Sequence, residues 1–208
     1  VVLDVDPSRG AELQRKLLLY RLRAAVAIED VSARFQIFYR RDSFDGAVAD
    51  PRFPHGDLGW RALRTIDVQQ AADGSAAYDA HRIALGVPDL ARDAAPEEVF
   101  AGEALLEELN GVAFDKGCFV GQENVSRMKR RATTRKKFCP IVFEGDPIPY
   151  GTPVLAGDAE IGSVRTGLAG RAIALLRLDR ALAADKPLTA AGREVRLDPP
   201  PWLILPHA

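Results

Sequence analysis

The sequence predicts an α+β region, residues 1–132, followed by a small C-terminal β-barrel, residues 133–208, and three observations carry that expectation. The opening segments follow a strand–helix–strand–strand order, which points to helices packed on a sheet. Beyond Ala132 the pattern changes to short strands spaced by turn residues, the rhythm of a barrel. At 208 residues with 47% hydrophobic content, the chain is long enough to bury a core without disulfide staples.

The apolar run Val1–Val5 reads as a core strand that stops at Asp6-Pro7-Ser8, a turn and cap signal. An exposed edge there would invite aggregation, so the sequence reads as beginning inside a domain whose first elements lie upstream. A helical pattern runs from Ala11 to Arg23, with Leu13, Leu17, Leu18, Tyr20 and Leu22 as its expected buried face. Val26–Val31 and Arg34–Tyr39 are rich in β-branched and aromatic residues, and Phe35, Ile37 and Tyr39 alternate as a half-buried strand does. Residues 42–59 carry Gly, Pro, Asp and His, hence loops with one short strand. Arg61–Val68 reads as a strand. Gly74–Leu85 reads as a helix that ends at Gly86 with Pro88 just beyond. A second short helix is expected over Gly102–Leu109. Barrel strands are expected at Phe138–Phe143, Pro153–Ala156, Ile161–Thr166, Ala172–Arg177, Val195–Leu197 and Trp202–Leu205. Turns such as Glu144-Gly145-Asp146-Pro147 separate them.

Composition excludes several classes. The apolar runs fall far short of the roughly 20 residues that cross a bilayer as a helix, so no membrane partner is expected. Two cysteines, Cys118 and Cys139, are too few for a disulfide framework or for a self-contained zinc or iron–sulfur site, which takes about four ligands. A reducing, cytoplasmic setting follows as the expectation. His55, His81 and His207 are scattered, and no metal site is expected. The formal net charge is −1, yet Arg127, Lys129, Arg130, Arg131, Arg135, Lys136 and Lys137 form a run without an acid, leaving the remainder strongly acidic. That run reads as a solvated helix end and linker, or as a cradle for an anionic ligand or acidic partner. It lacks interleaved aromatics, which argues against nucleic acid.

The stretch from Asn110 to Arg131 is the part least explained by folding needs. Gly111, Gly117 and Gly121 surround one thiol, Cys118, with Gln122 and Glu123 after it. Glycines at this spacing permit tight backbone paths and close approach of main-chain N–H groups to a ligand. If Gly121–Met128 begins a helix, Cys118 lies just ahead of an N-terminus, where the helix dipole and Lys116 favour a thiolate. The plain alternative is a small core cysteine in a glycine-shaped loop, with Gln122 and Glu123 as ordinary first-turn residues. Spacing alone leaves both readings open.

The segment Lys116-Gly117-Cys118-Phe119-Val120-Gly121-Gln122-Glu123, with Arg127 after it, resembles the signature of the YgfZ-type folate-binding proteins, relatives of the glycine cleavage T-protein. The resemblance extends to Arg82-Ile83 with Gly86-Val87-Pro88, to Glu103, to Gly111-Val112-Ala113-Phe114, and into the C-terminal part at Ile161-Gly162-Ser163-Val164 and Ala174–Asp179. It implies a ferredoxin-like α+β folate-binding region followed by a β-barrel, tetrahydrofolate as ligand, and Cys118 as functional thiol. It also implies folate contacts from Arg82, Glu103, Lys116, Gly117, Gln122, Glu123 and Arg127. A carboxylate such as Glu103 suits an aminopterin edge because it can accept two parallel N–H bonds. This chain departs from the family pattern at Ala84, Ala101 and Leu105, where an acid, a proline and an asparagine are usual.

The leading expectation from the resemblance is a tetrahydrofolate-binding accessory protein that works with iron–sulfur client or assembly proteins, with transferase-like activity left open. An aminomethyltransferase is the second reading, although the lysine–glycine–cysteine motif is foreign to T-proteins. An RNA-modification accessory without a folate site is the third, and it rests only on the cationic run.

Overall fold

The structure, a computed structural model, describes residues 1–66, 73–118, 121–123, 125–126 and 134–206. The architecture is α+β, with a small sheet and its helices followed by a closed barrel. Strands β1 (Phe35–Arg40), β2 (Val48–Ala49) and β3 (Trp60–Thr65) form an antiparallel sheet in the order β1-β3-β2. Opposed residues share a face, so the register sets Tyr39 beside Arg61 and Ile37 beside Leu63. Helix α1 (Gly10–Tyr20) precedes the sheet, and α2 (Ser75–Ala84) meets the Tyr39 end. There the Tyr39 and Tyr78 rings meet edge to face at 5.0 Å, and Tyr39 Oη hydrogen-bonds His81 Nδ1 at 2.5 Å.

Helix α2 ends as its sequence dictates. Gly86 adopts φ +79°, its N–H reaches Ile83 O, and Val87 N–H reaches Arg82 O. This pair of bonds satisfies the last carbonyls of the helix in a Schellman turn.

The barrel comprises β4 (Lys136–Phe143), β5 (Pro153–Ala156), β6 (Ala159–Leu168), β7 (Arg171–Arg177), β8 (Leu188–Ala190) and β9 (Arg193–Leu197). Their order is β4-β7-β6-β5-β8-β9, and β9 closes onto β4 through Ile141–Leu197 and Phe143–Val195. Closure leaves no open sheet edge. Phe138, Ile141, Val154, Val164, Ile173, Leu175 and Val195 are all buried on its strands. Cys139 is buried with them, and burial pushes its thiol up to about 12.

Arg82 fastens α2 to this barrel. It is the largest fully buried side chain among the described residues. Its Nε donates to Asp79 Oδ1 at 2.7 Å, Nη1 to Val87 O at 3.1 Å and Asp93 Oδ2 at 3.3 Å, and Nη2 to Thr166 Oγ1 of β6 at 2.8 Å. Asp93, at the end of the short helix α3 (Leu90–Asp93), also accepts from Thr166 N and Asp89 N. Arg171 of β7 donates to Ala84 O, and Trp202 Nε1 to Leu85 O. Arg92 holds the Asp79 carboxyl below the usual carboxylate range, opposed by burial and reinforced by Arg82. A depressed folded-state pKa stabilises above the unfolded value of about 3.9, and that stabilisation disappears as pH falls through the folded value. Urea titrations should therefore show stability dropping below about pH 4, with a smaller drop in Asp79→Asn.

Several expected elements differ. Val1–Val5 and Val26–Val31 are not strands. Both segments have the right composition, but a strand needs a partner for its backbone groups, and among the described residues no strand pairs with them. The helix at Gly10–Tyr20 forms, but it buries no residue, and Leu19, Tyr20 and Leu22 are each more than two-thirds exposed. Gly102–Leu109 is a pair of turns rather than a helix. Each turn closes as a Schellman motif, the first through Leu106 N to Ala101 O with Leu105 at φ +60°, the second through Gly111 N to Leu106 O with Asn110 at φ +58°. Left-handed Leu105 costs about 1–2 kcal/mol, which its complete burial offsets. Trp202–Leu205 is not a barrel strand. Pro199-Pro200-Pro201 removes donors just before it, and the β4–β9 pairing has already closed the sheet. The short strand β8 and the helix Leu178–Leu182 are additions to the sequence reading.

Candidate functional site

The thiol loop starts from a fixed base. The double turn at residues 100–110 is tied to the barrel: Phe138 N donates to Glu103 O, and Lys137 Nζ donates to Glu108 Oε1 at 2.6 Å and Ile204 O at 2.9 Å. Lys137 is thus buried and spent inside the fold, although the sequence grouped it with the cationic run. Arg135 is exposed, and Arg127, Lys129, Arg130 and Arg131 lie outside the described residues.

From this base residues 113–118 run out into solvent. Cys118 is exposed, as are Lys116, Gly117 and Glu123, while Gln122 is half-buried. Gly117 and Gly121 adopt φ +82° and +85°, and a Cβ on either would meet open space. Left-handed backbone, not close packing, is therefore what requires glycine there. Gln122, Glu123, Val125 and Ser126 have helical backbone, which places the thiol ahead of a helical segment. Of the two cysteines, the one in the motif faces water and the other is sealed in the barrel.

The other expected site residues are dispersed in role. Glu103 is half-buried, and its Oε2 accepts from Phe100 N at 2.9 Å, the reciprocal half of a capping box. Arg82 is a buried brace with its guanidinium nitrogens committed to Asp79, Val87, Asp93 and Thr166. Arg127 lies outside the described residues. Among the described residues no group of three or more His, Cys, Asp or Glu could hold a metal ion, and no helix is long and apolar enough to cross a membrane.

Sequence reasoning missed a polar network beside the sheet. Arg52 Nε and Nη2 grip Asp50 Oδ1 and Oδ2 at 2.9 and 2.8 Å, and Nη2 also donates to Tyr78 Oη at 2.7 Å. Burial opposes ionisation of Asp50, but the Arg52 contacts prevail and keep its pKa below the usual range. Asn110 joins this network by donating from Nδ2 to Pro51 O and Arg52 O. The Asn110-Gly111 pair was the available signal, since Asn-Gly marks left-handed turns.

Residues 135–204 match the family model described as CAF17, C-terminal beta-barrel domain. The chain is also similar to the iron-sulfur cluster assembly factor IBA57, mitochondrial, of Homo sapiens, at 29% identity over 201 residues, covering 84% of this chain and 56% of that protein. The mouse protein of the same name is 28% identical over 203 residues, covering 85% and 56%. A homologue from Mycosarcoma maydis is 32% identical over 165 residues, covering 71% and 40%. The chain thus spans about half the length of the mammalian relatives. At the level of the wider family the resemblance stands, although these relatives bear the name IBA57 rather than YgfZ. The cytoplasmic expectation is overturned, because the relatives are named as mitochondrial proteins. A low cysteine count fits a reducing setting but does not distinguish one compartment from another.

Proposed function

We propose that this chain belongs to an accessory protein that supports iron–sulfur cluster assembly or repair, with Cys118 as its functional thiol and tetrahydrofolate as its ligand. The observation that carries the reading is the contrast between the two cysteines, one exposed on a glycine-shaped loop over a fixed base and the other inert in the barrel. The names of the relatives supply the iron–sulfur context. Two cysteines in opposite environments cannot by themselves enclose a cluster, so the cluster is cargo that belongs to a client or assembly protein or is shared with it transiently.

The donor set suits a reduced folate in part. Glu103 offers a half-buried carboxylate, and Lys116, Gln122 and Glu123 add a cation, an amide and a second acid beside the thiol. Gly117 leaves its backbone open to a ligand. Arg127 would add a cation for a glutamyl tail. Arg82 does not fit as a direct ligand because it is buried and committed, and it acts instead by holding α2 on the barrel. Reduced folate, when bound, supplies a one-carbon carrier. The residues named here bind and orient it, and Cys118 stays open to a partner.

The test is calorimetric titration of the full-length protein with tetrahydrofolate, repeated for Glu103→Ala and Cys118→Ser. Glu103→Ala should weaken binding roughly tenfold or more, the loss of a hydrogen bond to a charged group. Cys118→Ser should keep native stability to within about 0.5 kcal/mol, as expected at an exposed site, yet fail to restore iron–sulfur enzyme activity in a deletion strain. Absence of folate binding by the wild type sinks the ligand assignment. Full rescue by Cys118→Ser returns that thiol to a structural role.

A further inference from the structure

We propose that Asn110 is the positioning residue of the thiol loop, clamping its root to the Pro51–Arg52 segment. The proposal rests on Cys118 being the functional thiol. Asn110 occupies the left-handed position of the second turn, φ +58°, and Gly111 N bonds back to Leu106 O at 2.6 Å. Three residues beyond it, from Ala113, the chain is exposed through Cys118. Asn110 Nδ2 donates to Pro51 O at 3.1 Å and to Arg52 O at 3.4 Å, more than fifty residues away in sequence.

The far end of the clamp is itself immobilised. Arg52 is forked onto Asp50, which is 1% exposed, and Arg52 also reaches Tyr78 on α2. Helix α2 is in turn fastened to β6 through Arg82. On the other side Glu108, two residues before Asn110, is held by Lys137 of β4. The root of the loop is therefore referenced to both the sheet and the barrel, and Asn110 is the residue where both references meet the exposed arm.

Asparagine suits this position for two separate reasons. It tolerates left-handed backbone, and its amide supplies two donors for the facing carbonyls. Asn110→Gly keeps the first property and removes the second. Asn110→Asp keeps the size but turns a carboxylate oxygen toward two carbonyl oxygens.

Hydrogen exchange on the full-length protein separates the possibilities. Amides of residues 111–118 should exchange about five-fold faster in both variants, the scale of one lost hydrogen bond, while barrel amides at Ile173 and Leu175 keep their protection. Both variants should also lower iron–sulfur client activity in the deletion strain. Wild-type exchange of the loop in Asn110→Gly overturns the clamp, and so does a loss of protection that spreads to the barrel, which would make the role one of global stability. Full activity of Cys118→Ser alongside a loosened loop in Asn110→Gly would instead refute the thiol reading and leave the clamp standing.

Discussion

Replacing Arg82 with alanine is expected to cost about 3–5 kcal/mol, the penalty for breaking a buried ion pair from one side. That is a large part of the roughly 5–15 kcal/mol by which domains are stable. The cause is what the substitution leaves behind. Asp93 is wholly buried, and its Oδ2 would retain only the Asp89 N–H, while Thr166 Oγ1 would lose its guanidinium donor. Arg82→Lys restores a charge but not the fork that reaches four partners, so it should recover only part of the loss. Urea denaturation followed by tryptophan fluorescence reads this directly, because Trp202 hydrogen-bonds Leu85 O at the same junction. A change below about 1 kcal/mol, the range of exposed ion pairs, would show that the buried fork is not what secures α2.

Gly162→Ala is the second large effect, with an expected cost of about 3 kcal/mol or more, in the range of severe overpacking. Gly162 lies in β6 between β5 and β7, paired with Val154 and Leu176. An added Cβ would sit 2.0 Å from Leu175 O and 2.9 Å from Leu176 Cα, both main-chain atoms of β7. No side-chain rotation relieves such an overlap, so β6 must leave β7 and the barrel opens. Gly151→Ala is the matched control. It has φ +82° with open space around the new carbon, and it should cost only about 1 kcal/mol, the backbone penalty alone. Equal melting temperatures for the two variants would refute the argument from the strand contact.

The sequence made elements legible where a local signal and a long-range partner agreed. Helix α2 was readable because Gly86 and Pro88 punctuate it, and the barrel strands because turns frame them. Val1–Val5 and Val26–Val31 misled because strand composition reports a preference, whereas a strand exists only if another one lies beside it. The turns at 100–110 misled for the opposite reason: an apolar pattern suited a helix, but left-handed Leu105 carries no local mark. At the site the contiguous thiol motif was legible at once. The brace formed by Arg82 was not legible, because Thr166 and Asp93 lie 84 and 11 residues away and no short pattern joins them. Asn110 escaped notice because its partners, Pro51 and Arg52, come from a loop that sequence reads only as irregular.

The segregation of the two sulfurs turns the barrel into its own witness. Cys139 has a thiol pushed up to about 12 and no exposed surface, so of the two sulfurs of this chain a thiol-directed label can reach only Cys118 while the fold is intact. The second sulfur becomes countable when β4 leaves its neighbours. The stoichiometry of labelling over time therefore clocks barrel opening without any engineered reporter, while the first equivalent, taken up by Cys118, marks the molecules whose loop chemistry is intact.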